Sequence, residues 1–159
     1  MNFWKDVYGV DMSCLTPTVM KEPLVDVVGS NMIMSNACKI LSLDLVHMKK
    51  EDVEFSSAYE LNMLYDDKVH ALVGWFDTGF RNLTRPTVLS TSPFKKSTHW
   101  KQTVFYLEQD LQVKKGDVLR GSIANRKSKT NFRELDIKIS YHIDTVKQKK
   151  DFVNMYKLR

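Results

Sequence analysis

This sequence predicts a mainly β fold: an antiparallel β-barrel or sandwich preceded by a short helical arm. Two observations carry that expectation. From about residue 36 onward, apolar residues fall on every second position, in seven or so short runs separated by turn residues. Before that point they recur three and four positions apart. The predicted division gives residues 1–31 to the arm and residues 32–159 to the barrel.

In the arm, Trp4, Val7, Tyr8, Val10 and Asp11 share a loosely helical spacing. Thr16-Pro17 opens a second helical turn, because proline is tolerated at a first helical position. Pro23 ends it and pushes Glu22 out of the helical region. Helices this short are marginal in water unless an apolar face packs on something. Either the chain's own core or another subunit is expected to cover Phe3, Trp4, Tyr8, Met12, Leu15, Val19 and Met20.

The strands follow in order. Leu41, Leu43 and Leu45 alternate with Ser42 and Asp44, so Cys38 to Leu45 reads as a strand. Val53 to Met63 reads as the next. Asp66-Asp67-Lys68 is a turn, and Val69 to Phe76 is apolar on both faces, which predicts a central strand. Val88 to Thr91 is a short strand stopped by Pro93. Gln102 to Leu111 resumes the alternation, and Lys115-Gly116-Asp117 turns the chain into Val118 to Ile123. A polar loop spans Arg126 to Asn131. The cleanest strand then sets Leu135, Ile137, Ile139, Tyr141 and Ile143 against Asp136, Lys138, Ser140, His142 and Asp144. The tail from Val146 to Arg159 carries Phe152, Val153, Met155 and Tyr156, which can pack back.

Composition narrows the possible functions. A chain of 159 residues suits one domain, and 43% apolar with 27% charged residues suits a folded one. No apolar run approaches the roughly 18 residues a membrane helix needs. The first residues lack the basic-then-apolar layout of a secretory signal. Two cysteines, Cys14 and Cys38, with no CxxC, argue against a disulfide framework or a zinc site and for a reducing compartment. The net charge of +5 is uneven. Residues 1–111 hold 11 basic against 14 acidic side chains, and residues 112–159 hold 13 against 5. A basic end can attract nucleic acid or acidic partners, although most such runs are solvated faces.

Chemistry-bearing motifs are few. No GxGxxG opens a βα unit and no GxxxxGKS occurs. The four histidines are scattered without metal-ligand spacing. His70 and His142 sit in strand patterns and read as structural. His99 differs: it lies in Ser97-Thr98-His99-Trp100-Lys101, at the end of a loop and just before a strand. Loops on a rigid β scaffold concentrate binding residues, and an imidazole beside an indole suits a slot for a cation.

Four blocks of sequence resemble one family. Phe3-Trp4-Lys5-Asp6-Val7-Tyr8-Gly9-Val10-Asp11-Met12-Ser13 and Lys21 to Val28 look like the segment that follows the catalytic domain of type I protein arginine methyltransferases. Ser90-Thr91-Ser92-Pro93 with Thr98 to Tyr106 is similar to that family's threonine-histidine-tryptophan loop and the strand after it. Val69 to Val73 and Met155 to Arg159 fit as well. The similarity runs from residue 3 to the end.

The resemblance implies transfer of a methyl group from S-adenosylmethionine to an arginine guanidinium in proteins such as histones and RNA-binding proteins. The family's glycine-rich donor loop and guanidinium-gripping pair of glutamates belong to a preceding domain, and neither motif occurs here. The 159 residues are therefore expected to be inactive alone and to bind neither cofactor nor metal. By the same resemblance His99 is the catalytic candidate: it closes the pocket, pairs with an acid of the other domain and acts either as the base that takes up the released proton or as a positioner alone. Trp100 and Thr98 are the substrate-binding candidates. Trp4, Tyr8, Met12 and Leu15 belong to the arm that reaches another subunit in a homodimer. The expected setting is cytoplasmic or nuclear. Asp44, Glu51, Asp52, Glu54, Asp66 and Asp67 are candidates to hold a basic peptide.

The competing reading is a stand-alone β-barrel module that binds nucleic acid through its basic third. It requires exposed aromatic platforms among Phe132, Tyr141, Phe152 and Tyr156. Nucleic acid is the less expected partner.

Overall fold

The computed structural model describes residues 3–145 and 148–159, with the side chains of 144–150 left aside. Among the described residues nine strands form antiparallel sheets: β1 (Leu24–Asp26), β2 (Phe55–Asn62), β3 (Asp67–Gly74), β4 (Asp77–Phe80), β5 (Thr87–Ser90), β6 (Gln102–Val113), β7 (Val118–Lys127), β8 (Leu135–Thr145) and β9 (Gln148–Leu158). One sheet has the order β1-β6-β3 and a second the order β2-β7-β8-β9, with β4 and β5 forming a small ribbon. The pairing is that of packed sheets; no closed barrel is formed among the described residues.

Alternation explains the second sheet. Register places Leu119 opposite Ile143, Ile123 opposite Ile139, and Ile137 opposite Tyr156, so one face collects the branched and aromatic side chains. These pack with Phe105, Leu107, Leu111 and Val113 of β6 into a single core between the two main sheets. The core also holds three buried tyrosines with polar ends. The Tyr59 hydroxyl donates to the Ser140 carbonyl at 3.0 Å, and the Tyr156 hydroxyl donates to the Tyr106 carbonyl at 2.7 Å. Tyr156 thereby ties β9 to β6 across the core. Burial pushes the Tyr141 phenol up to about 12 and raises those of Tyr59 and Tyr156 as well.

Gly121 is dictated by this packing. A Cβ there would collide with the Ser140 carbonyl oxygen and stand 2.6 Å from the Tyr59 hydroxyl. The Tyr59 ring crosses over the glycine to reach its acceptor on β8.

Three expectations are corrected. Cys38 to Leu45 forms no strand: residues 36–44 are irregular, and Leu41, Leu43 and Leu45 are exposed. The period was right, but no neighbouring strand offers hydrogen bonds to it. Val69 to Phe76 is not central; β3 lies at the edge of its sheet and β6 is the middle strand. The run is apolar on both faces, yet Phe76 is exposed beyond the strand's end, and within β3 only Val69 is buried, with Ala71 to Gly74 half-buried. Finally, Trp4 to Asp11 is not helical beyond the single 3-10 turn Phe3–Lys5. Val7 and Val10 exchange backbone hydrogen bonds of 2.9 and 3.1 Å around a two-residue turn with Tyr8 at φ +55° and Gly9 at φ +81°. The Asp6 carboxylate accepts from the Gly9 N–H at 2.8 Å, a local bond that competes with helix. The second helical turn does form, as α1 (Thr16–Val19) with Pro17 in its first turn.

The tail does more than pack back. It becomes β9, paired along its length with β8, and the Lys157 N–H donates to the Lys21 carbonyl at the arm's end. Residues 146 and 147, where the tail was expected to begin, lie outside the described residues. Among the described residues no helix is long and apolar enough to cross a membrane.

Candidate functional site

The loop between β5 and β6 is shaped by its own small polar residues. The Ser90 and Ser92 hydroxyls accept from the N–H groups of Ser92 and Phe94. At the far end the Lys101 N–H donates to the Thr98 carbonyl at 3.1 Å, closing a turn over His99 and Trp100. Lys101 takes φ +54°, a left-handed conformation that costs a non-glycine residue about 1 kcal/mol. Something must hold it there, and two contacts do. The Lys101 ammonium donates to Asp26 on β1 at 3.0 Å, and Gln102 immediately enters the paired β6. The same ammonium holds the Asp26 carboxyl below its ordinary value.

His99 and Trp100 emerge together at the surface. Their ring centroids lie 3.9 Å apart with a 33° tilt, and Phe76 meets the indole edge-on at 6.3 Å. His99 is exposed and Trp100 retains 49% of its surface. Thr98, the third predicted residue, supplies the carbonyl of the turn, while its hydroxyl is buried without a partner among the described residues.

His99 differs from the other histidines. His47, His70 and His142 each face a carboxylate of this chain, at 2.9, 3.8 and 2.7 Å. Among the described residues no carboxylate pairs with His99. A solvent-facing imidazole, stacked but free of an acid partner, is available to a group from outside.

The arm presents a second exposed surface. No residue from 3 to 31 is buried. Tyr8 stands fully exposed at the tip of the Tyr8-Gly9 turn, Leu15 is exposed, and Trp4 and Met12 are half-buried. The Met12 N–H donates to the Trp4 carbonyl at 2.8 Å, which folds the arm back on itself. The arm and the His99 loop meet at β1, whose Asp26 opposes Gln102 in register.

The acidic candidates are largely committed to their own backbone. Asp44 accepts from the Val46 N–H and pairs with His47; Asp52 accepts from the Lys49 N–H; Glu54 from Lys127; Asp66 from Lys115; Asp67 from Lys68. Asp44, Asp52 and Glu54 share the wall of an open concavity of about 440 Å³ with Leu41, Leu43, His47 and Met48. The nucleic-acid platform fares no better. Tyr141 and Tyr156 are buried, and Phe152 stacks on Tyr141 at 4.8 Å, leaving Phe132 exposed. Among the described residues no cluster of three metal-ligating side chains occurs, and both cysteines are exposed and free.

Sequence reasoning missed the supports of the loop: Asp26, Phe76, Thr91 and Gln102. A lysine-glutamine pair at a strand start carries no signal that distinguishes it from any solvated polar pair.

Comparison with known proteins places these features. Residues 1–147 match the model of the arginine methyltransferase oligomerization subdomain. The chain is 50% identical over 141 residues to protein arginine N-methyltransferase 1 of Schizosaccharomyces pombe, covering 89% of this chain and 42% of that protein. It is 41% identical over all 159 residues to the Chlamydomonas reinhardtii protein of the same name, covering 46% of it. Among solved structures, the Trypanosoma brucei PRMT1 enzyme-prozyme heterotetrameric complex with AdoHcy superposes with a TM-score of 0.92 at 31% identity, over 100% of this chain and 50% of that one. The chain thus spans less than half the length of these two curated relatives. With an exposed arm and a threonine-histidine-tryptophan loop held on a β scaffold, and with the family match running through both, this chain belongs to the protein arginine methyltransferases and corresponds to their oligomerization subdomain.

Proposed function

We propose that this chain forms the barrel-side wall of the arginine pocket in an S-adenosylmethionine-dependent protein arginine methyltransferase, and that its arm joins two copies into a homodimer. The observation that carries the reading is the outward-facing His99–Trp100 stack in which the imidazole lacks the acid partner the other three histidines have. An acid on the donor domain would supply it.

The methyl donor does not fit the residues of this chain. Its glycines are isolated rather than gathered into a phosphate- or nucleoside-cradling loop. The concavities beside Leu41 and beside Tyr59 do not include His99 or Trp100 in their walls. The donor therefore belongs to the other domain, and the 159 residues alone bind no donor and transfer no methyl group.

What this chain's residues contribute is position and proton handling. A guanidinium is protonated near neutral pH and is a poor nucleophile. Trp100 offers it a flat wall and a cation–π face. His99, oriented by an acid from the other domain, receives the proton that the alkylated nitrogen releases. Thr98 closes the turn that presents both rings. Holding the nitrogen in line for transfer supplies several kcal/mol of barrier reduction. Trp4, Tyr8, Met12 and Leu15 are the apolar contacts of the arm in the dimer, in keeping with a subdomain whose family description is oligomerization. Arginine-containing proteins are the substrates, and the cytoplasm or nucleus is the setting.

The test is His99→Ala in the enzyme with its donor domain. Turnover falls by about 100-fold or more, as expected for loss of a general base, while donor binding is unchanged. Methylation at the wild-type rate would overturn the assignment.

A further inference from the structure

The geometry points to Gln102 as the positioning residue of the His99–Trp100 wall, assisted by the Asp26–Lys101 ion pair. The catalytic meaning of this inference rests on the function proposed above; its geometric content does not.

Gln102 is a polar side chain with only 3% of its surface exposed. Both ends of its amide are used. Its Oε1 accepts from the Val28 N–H at 2.8 Å, and its Nε2 donates to the Thr91 carbonyl at 2.7 Å. Val28 is where the chain leaves β1, and Thr91 is where the site loop begins. A single side chain thus pins both neighbours of the loop from beneath.

The circuit continues from Thr91. It is buried, and its N–H and hydroxyl both donate to the Phe76 carbonyl, at 3.0 and 3.1 Å. Phe76 in turn lays its ring against the indole of Trp100. On the other side, Lys101 follows Trp100 directly and carries the left-handed backbone, with its ammonium anchored on Asp26. Trp100 is therefore gripped from two directions: through Phe76 by the buried Gln102–Thr91 relay, and through its own backbone by Lys101. A buried amide with both ends satisfied has one orientation, whereas a glutamate would lose the donor to Thr91 and a leucine both bonds.

β1 belongs to the arm segment, so the same contacts connect the arm to the site. Gln102 and Asp26 act through His99 and Trp100 and touch no substrate; they are positioning residues.

The experiment is NMR of the full 159-residue chain, following the His99 ring protons, identified by their absence in His99→Gln. Stacked on Trp100, these protons resonate upfield of a free imidazole. In Lys101→Met, which alters an exposed ion pair, and in Gln102→Leu, the signals move toward the free position. Lys101→Arg restores them. If Gln102→Leu does not fold, Gln102→Glu, which keeps the acceptor for Val28 and loses the donor to Thr91, decides for Gln102, and Lys101→Met and Asp26→Asn decide for the ion pair. Unchanged His99 signals in these folded variants would overturn the inference. The readout uses no methyl transfer, so an unaffected His99→Ala enzyme would sink the proposed function while leaving this result standing.

Discussion

Residues 38–45 and residues 135–143 carry the same alternating apolar pattern, yet only the second became a strand. Leu135 to Ile143 hydrogen-bonds to β7 on one side and β9 on the other, and its apolar side faces Phe105 and Leu111. Cys38 to Leu45 has neither neighbour, and Leu41, Leu43 and Leu45 face solvent. Alternation specifies which face a strand would bury; it does not supply the partner that makes burial worthwhile. Where a partner is present, the pattern reads as core. Where it is absent, the same pattern reads as surface awaiting a contact.

The contrast can be broken by truncation. Leu119→Ala, at a position with no exposed surface, is expected to destabilise the chain by about 2–5 kcal/mol in a denaturant titration. Leu43→Ala, with 38% of its surface already exposed, is expected to shift stability by less than about 0.5 kcal/mol. Equal losses would mean the irregular segment is packed as firmly as the sheet. Next in size is Gly121→Ala. Its added methyl collides with backbone on β8 and with the Tyr59 hydroxyl, and overpacking of this kind costs about 1–3 kcal/mol. A variant of wild-type stability would show that both the β8 backbone and the Tyr59 ring can give way there.

The smallest effect concerns pH and sharpens the sealed half of the comparison. Tyr59, Tyr141 and Tyr156 have folded-state pKa values raised above the ordinary 10.0 by burial. Their contribution is fully present below pH 10, where both states are protonated. Above pH 10 the unfolded chain releases protons that the folded chain keeps, so stability falls, through about pH 12 for Tyr141. Chemical denaturation followed from pH 8 to pH 11 checks the sign. Stability that stays flat would mean the phenols ionise as readily folded as unfolded.

Much of the β-sheet was legible for a physical reason. β2, β6 and β8 carry period-two patterning, β3 is a run apolar on both faces that follows a turn, and β5 and β7 are short runs bounded by a proline or a turn. β1 and β4 were not legible, being only three and four residues long. β9 was read as a tail because lysines and an aspartate interrupt its apolar positions. In the arm, Gly9 and the carboxylate of Asp6 outweighed the helical spacing. At the site, His99 and Trp100 were visible as an unusual pair on a loop, and their exposure follows from the turn that Lys101 closes. Gln102 was not visible, since its importance lies in being buried with both amide ends occupied, and burial is a property of the fold.

The Tyr8-Gly9 turn has a consequence for assembly kinetics. The tip ring rides on a backbone already locked by two reciprocal hydrogen bonds and the Asp6 carboxylate. In the dimer proposed above, a receiving surface would meet a preorganised aromatic peg rather than a floppy loop, so docking would forfeit little conformational freedom beyond the tyrosine's own two torsions. On that proposal, lengthening the turn by a flexible residue slows complexation and shortens residence time without removing a single apolar atom from the proposed contact.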